Sequence, residues 1–207
     1  MSGQTTVRAA RASAVIGVIL AAVGMWGVHR GIVELASGPA TAQPESTAAT
    51  PLEEAEEASS RAVLEVLDGA PLRRPLSAAN AVVSALLLVG GFMLFTRRGS
   101  APWLVAQAAV ANAVWTGAEI TSQITALLAS AGQLTNLFDA EITALAHAEA
   151  SGDLPVDGSH KLGMLVAMVA GVGLARVVLY GWIGLRVRRA DIRELIEAAH
   201  RARGTGN

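Results

Sequence analysis

Four residues in one apolar stretch are the best placed to do chemistry. Asn112, Thr116, Glu119 and Gln123 follow one another at steps of four, three and four. On a helix, at about 100° per residue, they fall within about 60° of arc. A carboxyl in a row of hydrogen-bonding groups can carry a proton or guide an ion, provided the row faces a bundle interior or an aqueous cavity. The same row can act without chemistry, as interhelical bonds that fix register, each worth about 0.5–1 kcal/mol. The row is short and holds one acid. The structural role is therefore the leading expectation and the conducting role the alternative. Ser77, Asn80 and Ser84 share one side of another apolar stretch and are natural partners.

Helical rise proposes charged partners. Glu119 lies about 25 Å from the start of its helix, close to the depth of Arg30 and His29, about 27 Å or slightly less from Ala12. Arg176 and Asn112 share a depth of about 15 Å. The expected pairs are thus Glu119 with Arg30 or His29, and Arg176 with Asn112.

Other chemistries have weaker footing. His29, His147, His160 and His200 lack the i, i+4 spacing of a zinc pair, although three of them are expected outside or near the outer surface, with Asp139, Glu141, Glu149, Asp153 and Asp157 nearby. A membrane haem requires two histidines at one depth on facing helices, which His29 and His160 do not supply. The chain has no cysteine, which excludes a disulfide, a thiolate ligand and a cysteine nucleophile. No nucleophile elbow or phosphate-binding glycine loop occurs, and no metal, cofactor or enzymatic activity is expected. A net charge of −1 gives no bulk attraction to nucleic acid.

The elements that position these residues belong to a membrane. Of 207 residues, 52% are hydrophobic and 16% charged, against about 25% charged in soluble domains. Four stretches reach the roughly 20 apolar residues that cross a bilayer: 12–35, 76–96, 102–129 and 162–185. A β-barrel would instead show alternating segments of about 10 residues. The first stretch also resembles a signal peptide, with Arg8 and Arg11 before it and Ala40-Thr41-Ala42 after it. That small-residue site lies far beyond the apolar run, so a retained helix is expected.

Arginines set the orientation. Arg8 and Arg11, Arg97 and Arg98, and Arg186, Arg188 and Arg189 flank the same side of all four spans. The long connections 36–75 and 130–161 are acidic. Basic short loops stay cytoplasmic, which places both termini inside and both acidic connections outside a cytoplasmic (inner) membrane. Residues 37–50 read as a flexible linker. Thr50-Pro51-Leu52-Glu53 then has the form of a capping box with proline in the first turn, opening an amphipathic helix. A second follows from Leu134, Leu137, Phe138, Ile142 and Leu145. The tail 186–207 carries a basic helix with the stripe Ile192, Leu195, Ile196, Ala199, suited to lipid headgroups or to a simple run of the last span into water.

Small residues predict where spans approach. Gly17, Ala21, Gly24 and Gly31 lie on a seam of the first span, and Gly163, Ala167, Gly181 and Gly184 on a similar seam of the fourth. Such seams allow backbones to meet where apolar side chains gain nothing from leaving lipid. The expected fold is an all-α integral membrane protein, a single membrane domain. It is a four-transmembrane-helix bundle with two amphipathic extracytoplasmic helices and a basic cytoplasmic C-terminal helix. The expected role is non-enzymatic: a structural, assembly or accessory subunit, in contact with the lipid bilayer and with copies of itself or other membrane subunits. A small transporter or channel subunit, or a membrane sensor with ligand-reading outer helices, are the alternatives.

Overall fold

Capping and periodicity account for the helices. The computed structural model describes residues 3–36, 50–70, 72–148 and 156–204. Residues 37–49, with most of the linker and Ala40–Ala42, and the acids Glu149 and Asp153 lie outside the described residues. Among the described residues the chain is helical, with no strand. The helices are α1 (Gly3–Ala36), α2 (Pro51–Asp68), α3 (Arg73–Phe95), α4 (Ala101–Ala129), α5 (Ala131–Ala148), α6 (Gly158–Val187) and α7 (Ala190–Gly204). At Thr50 the capping box is complete. The Glu53 amide donates to Thr50 Oγ1 (3.2 Å), and the Thr50 amide donates to Glu53 Oε2 (3.1 Å).

Among the described residues three helical stretches are long and apolar enough to cross a membrane: Ala10–Ala36, Arg73–Phe95 and Gly158–Val187. Helix α4 matches them in length at 29 residues. Gln107, Asn112, Thr116, Glu119 and Gln123 dilute its apolar character.

The described contacts divide into two compact units. The first contains residues 1–36, 74–117 and 175–207, and the second 37–73 and 118–174.

In the first unit α1 lies against α3 through a glycine seam. A Cβ at Gly24 would come within 2.5 Å of the Leu88 amide nitrogen and 2.6 Å of the Ser84 carbonyl. One at Gly31 would meet the Ser77 carbonyl at 2.9 Å, and one at Gly17 the Gly91 carbonyl at 2.9 Å. Gly91 returns the fit, since its own Cβ would stand 2.7 Å from the Ala21 nitrogen. Next to it, Gly90 faces Val105 of α4. The order of these pairs makes α1 and α3 antiparallel. On α6 the small-residue row meets little among the described residues. A Cβ at Gly163 or Gly181 would meet nothing within 4 Å, one at Gly184 would rest 3.6 Å from Ala109 Cβ, and Ala167 is exposed. Small-residue spacing identifies the edge of a helix but not the neighbour that uses it.

A tight turn links α3 to α4. The Arg98 amide bonds the Met93 carbonyl and the Arg97 amide the Leu94 carbonyl, the pattern of a Schellman cap. Arg97 occupies its left-handed position with φ 55°, where glycine is usual.

Three of the four stripe residues of α7 turn inward, and the side chain of Ala199 lies outside the described residues. Ile192, Leu195 and Ile196 are buried, and Ile192 and Ile196 share a core with Ile16 and Leu20 of α1 and Val187 of α6. The break between α6 and α7, spanned by an Arg186–Asp191 ion pair (3.6 Å), turns the stripe back onto the bundle.

In the second unit α2 and α5 pack on each other. Ala62, Leu134 and Phe138 join Leu127 of α4 and Leu162 of α6 in one core. Glu141 ties the unit together, accepting from Ser59 Oγ (2.5 Å) and from Lys161 Nζ, which also lies 4.9 Å from the Phe138 ring. Gly158 donates to Asp139 Oδ1 (2.6 Å), and a Cβ there would collide with the Thr135 carbonyl.

Asp157 caps α6, with the His160 amide and the Ser159 hydroxyl both donating to its Oδ1 at 2.8 Å. These donors, the His160 amide first, hold its carboxyl below the ordinary value of 3.8. A depressed carboxyl contributes stability that is complete above its unfolded pKa and fades as pH falls through the folded one. Asp157→Ala is expected to fray the first turn of α6, seen as faster amide exchange at His160 and Lys161 with α5 unchanged. Unchanged protection would remove the cap from this account.

Candidate functional site

Polar groups in the first unit form a layer that joins one helix to the next. On α1, Arg30 Nε pairs with Glu34 Oε1 at 2.6 Å, one turn along its own helix. Glu34 Oε2 accepts from Ser77 Oγ of α3 at 2.7 Å. Asn80 Nδ2 donates back to the Gly27 carbonyl of α1 (3.2 Å), and Ser84 Oγ donates to Asn80 Oδ1 (3.1 Å). From α4, Asn112 Nδ2 donates to the Val83 carbonyl of α3 (3.1 Å) and to the Ala108 carbonyl of its own helix (2.9 Å). One turn on, Trp115 Nε1 donates to the Leu76 carbonyl of α3 at 2.8 Å. Arg176 of α6 lies over the Trp115 ring, 5.2 Å from its centroid.

The uncharged members of the layer are buried. Asn112 is 1% and Thr116 0% exposed, and Ser77, Asn80 and Ser84 are equally enclosed. Thr116 Oγ1 has no hydrogen-bond partner. On the same helix, Glu119 is buried at 9% exposure and Gln123 is half-buried. His29 is exposed, with its ring 6.4 Å from that of Trp26.

The expected meeting of Arg176 with Asn112 does not occur. Asn112 turns both amide hydrogens onto backbone carbonyls, and the guanidinium lies on the neighbouring indole. Helical rise gives a depth along the axis and says nothing of azimuth. Trp115 and Glu34 enter the layer without having stood out by spacing. Both had a local signal: Trp115 flanks the polar row between Asn112 and Thr116, and Glu34 follows Arg30 by four residues.

Electrostatically the layer is a set of fasteners. Ser77, Asn80, Asn112 and Trp115 each donate to a carbonyl or a carboxylate of an adjacent helix, and a carbonyl has a free lone pair even inside a helix. Where water is excluded, such a bond removes the penalty of an unsatisfied group. Among the described residues no three His, Asp or Glu side chains gather to hold a metal ion. Comparison with protein-family models, with curated proteins and with solved structures finds no match to this chain.

Proposed function

We propose that the chain crosses a cytoplasmic membrane four times, with both termini inside, and serves there as a non-enzymatic structural, assembly or accessory subunit. Apolar side chains support the embedding. Met164, Met168, Val172, Val178, Trp182 and Leu185 of α6 stand 53–73% exposed, and α1 and α3 show similar outward rows. Patches of that extent on a protein surface mark contact with lipid or another protein. Helix α4 is the fourth span. In the first unit its Ala101, Val105, Ala108, Asn112 and Thr116 are enclosed by neighbours, while its outward side shows Val110 and Val114. A helix surrounded by protein has no need of lipid-facing apolarity on every side. Arginines at the shared ends of the spans give the orientation.

One observation carries the subunit role. The interior donors Asn80, Asn112 and Trp115 each reach a carbonyl of the adjacent helix, so they fix helices rather than line a passage. The contacts open to others are lipid, a second copy of this chain and other membrane subunits. A second reading, a small transporter or proton-channel subunit, draws support from Thr116, whose buried unpartnered hydroxyl lies on the polar row next to Glu119.

Proton flux in liposomes separates the two. Purified protein is expected to give flux no higher than empty vesicles, with Glu119→Gln indistinguishable from the wild type. Flux that is robust in the wild type and abolished in a folded Glu119→Gln protein would install the transporter reading. Mild-detergent extraction from native membranes is expected to bring out the chain with itself or with other membrane proteins, and a lone monomer would count against the subunit role.

A further inference from the structure

Within the first unit an apolar groove of about 310 Å³ opens between α4 and the C-terminal half of α6. Its floor is made of small residues, Ala109 and Ala113 on α4 and Gly181 and Gly184 on α6, and Leu185 borders it. Gly181 faces open space. At the end of the groove, just past the last turn of α6, stands Arg188. Its side chain is exposed and its guanidinium has no partner among the described residues.

We propose that this groove holds one acyl chain of an anionic glycerophospholipid, with the headgroup phosphate on Arg188. The inference rests on the four-span reading, which puts Arg188 at the cytoplasmic interface and Gly181 in the hydrocarbon. From Gly181 to Arg188 the helix rises about 10 Å, which is two-thirds of the about 15 Å of hydrocarbon in one leaflet. A chain descending from a phosphate at Arg188 therefore runs along the floor for most of its leaflet. The chemistry matches at both ends. The floor is largely apolar, with Tyr180 beside it, and suits methylenes; the mouth offers a cation with hydrogen-bond donors, suited to a phosphodiester. Arg186, Arg189, Arg97 and Arg98 surround the same end of the spans in sequence and raise the local concentration of anionic headgroups.

Two substitutions separate the halves of the site. Gly181→Leu fills the floor without striking another atom at Cβ. Arg188→Gln removes the charge at an exposed position. The full chain is reconstituted in vesicles of equal phosphatidylglycerol and phosphatidylcholine, extracted in mild detergent and weighed by native mass spectrometry. The wild type is expected to retain one phosphatidylglycerol per chain, favoured over phosphatidylcholine by about fivefold, the factor one basic side chain contributes near an anionic surface. Arg188→Gln is expected to retain a lipid with no preference, and Gly181→Leu to retain neither lipid. The proposal falls if the wild type holds the two lipids equally, if Arg188→Gln keeps the full preference, or if a second copy of the chain occupies the groove in place of lipid. Recovery of the chain from the aqueous fraction before any detergent would instead overturn the membrane reading, so the two failures are distinct.

Discussion

Gly24→Leu is expected to drive α1 away from α3 and to cost about 3 kcal/mol, the upper part of the range for overpacked cores. Backbone atoms make the cost unavoidable. The first added carbon would already lie 2.5 Å from the Leu88 nitrogen and 2.6 Å from the Ser84 carbonyl, and neither can rotate aside. Gly27 is a milder case, because its obstacle is the Ser84 hydroxyl, a side-chain end that can swing away at the loss of its bond to Asn80. The control is Gly163→Leu. Its Cβ meets nothing within 4 Å, and replacing a mid-helix glycine recovers about 0.5–1 kcal/mol of backbone entropy. Thermal unfolding in detergent is the measurement: a sharp fall in Tm for Gly24→Leu and none for Gly163→Leu. Equal melting of the two variants would remove the α1–α3 seam from this account.

The second large effect is expected at Trp115. Trp115→Phe keeps the ring and loses the indole N–H that bonds the Leu76 carbonyl at 2.8 Å, a loss of about 1–3 kcal/mol for a buried bond. Trp115→Leu also removes the π face under Arg176, 5.2 Å from the guanidinium carbon, worth about 2 kcal/mol when desolvated. Leucine should therefore be clearly worse than phenylalanine. A double-mutant cycle with Arg176→Met isolates the stacking part, with an expected coupling in the 0.5–3 kcal/mol range of contacting residues. No coupling, or equal stability of the phenylalanine and leucine variants, would show that the arginine does not depend on the ring.

Helices were legible because their signals are local. Thr50 and Glu53 announce a helix start through bonds three residues apart, and the repeat of Leu134 and Phe138 announces a buried side. The glycine row of α1 was legible as an edge. Its partner was not, because a seam read on one helix is compatible with any neighbour that has a matching gap. Gly91 supplied the gap, deep in a run of apolar residues where a glycine reads only as small. The tail is a similar case. Ile192, Leu195 and Ile196 declare a stripe that must be covered, and only the turn between α6 and α7 decides that α1 covers it. Within the polar layer, Asn80 and Asn112 were visible because amides are rare in apolar runs. Trp115 had only its place between Asn112 and Thr116 to mark it, since an indole counts as apolar bulk until a carbonyl is found against its nitrogen.

The α1–α3 seam also sets a timetable for biosynthesis. Gly17, Gly24 and Gly31 fit a surface that emerges only after residues 37–72 have been made. At about 5–20 residues per second, α1 waits some seconds with its glycine edge not yet covered by α3 and without the serine that will bond Glu34. During that interval the nascent helix is open to premature pairing with whatever small-residue surface passes, and the arrival of α3 ends it.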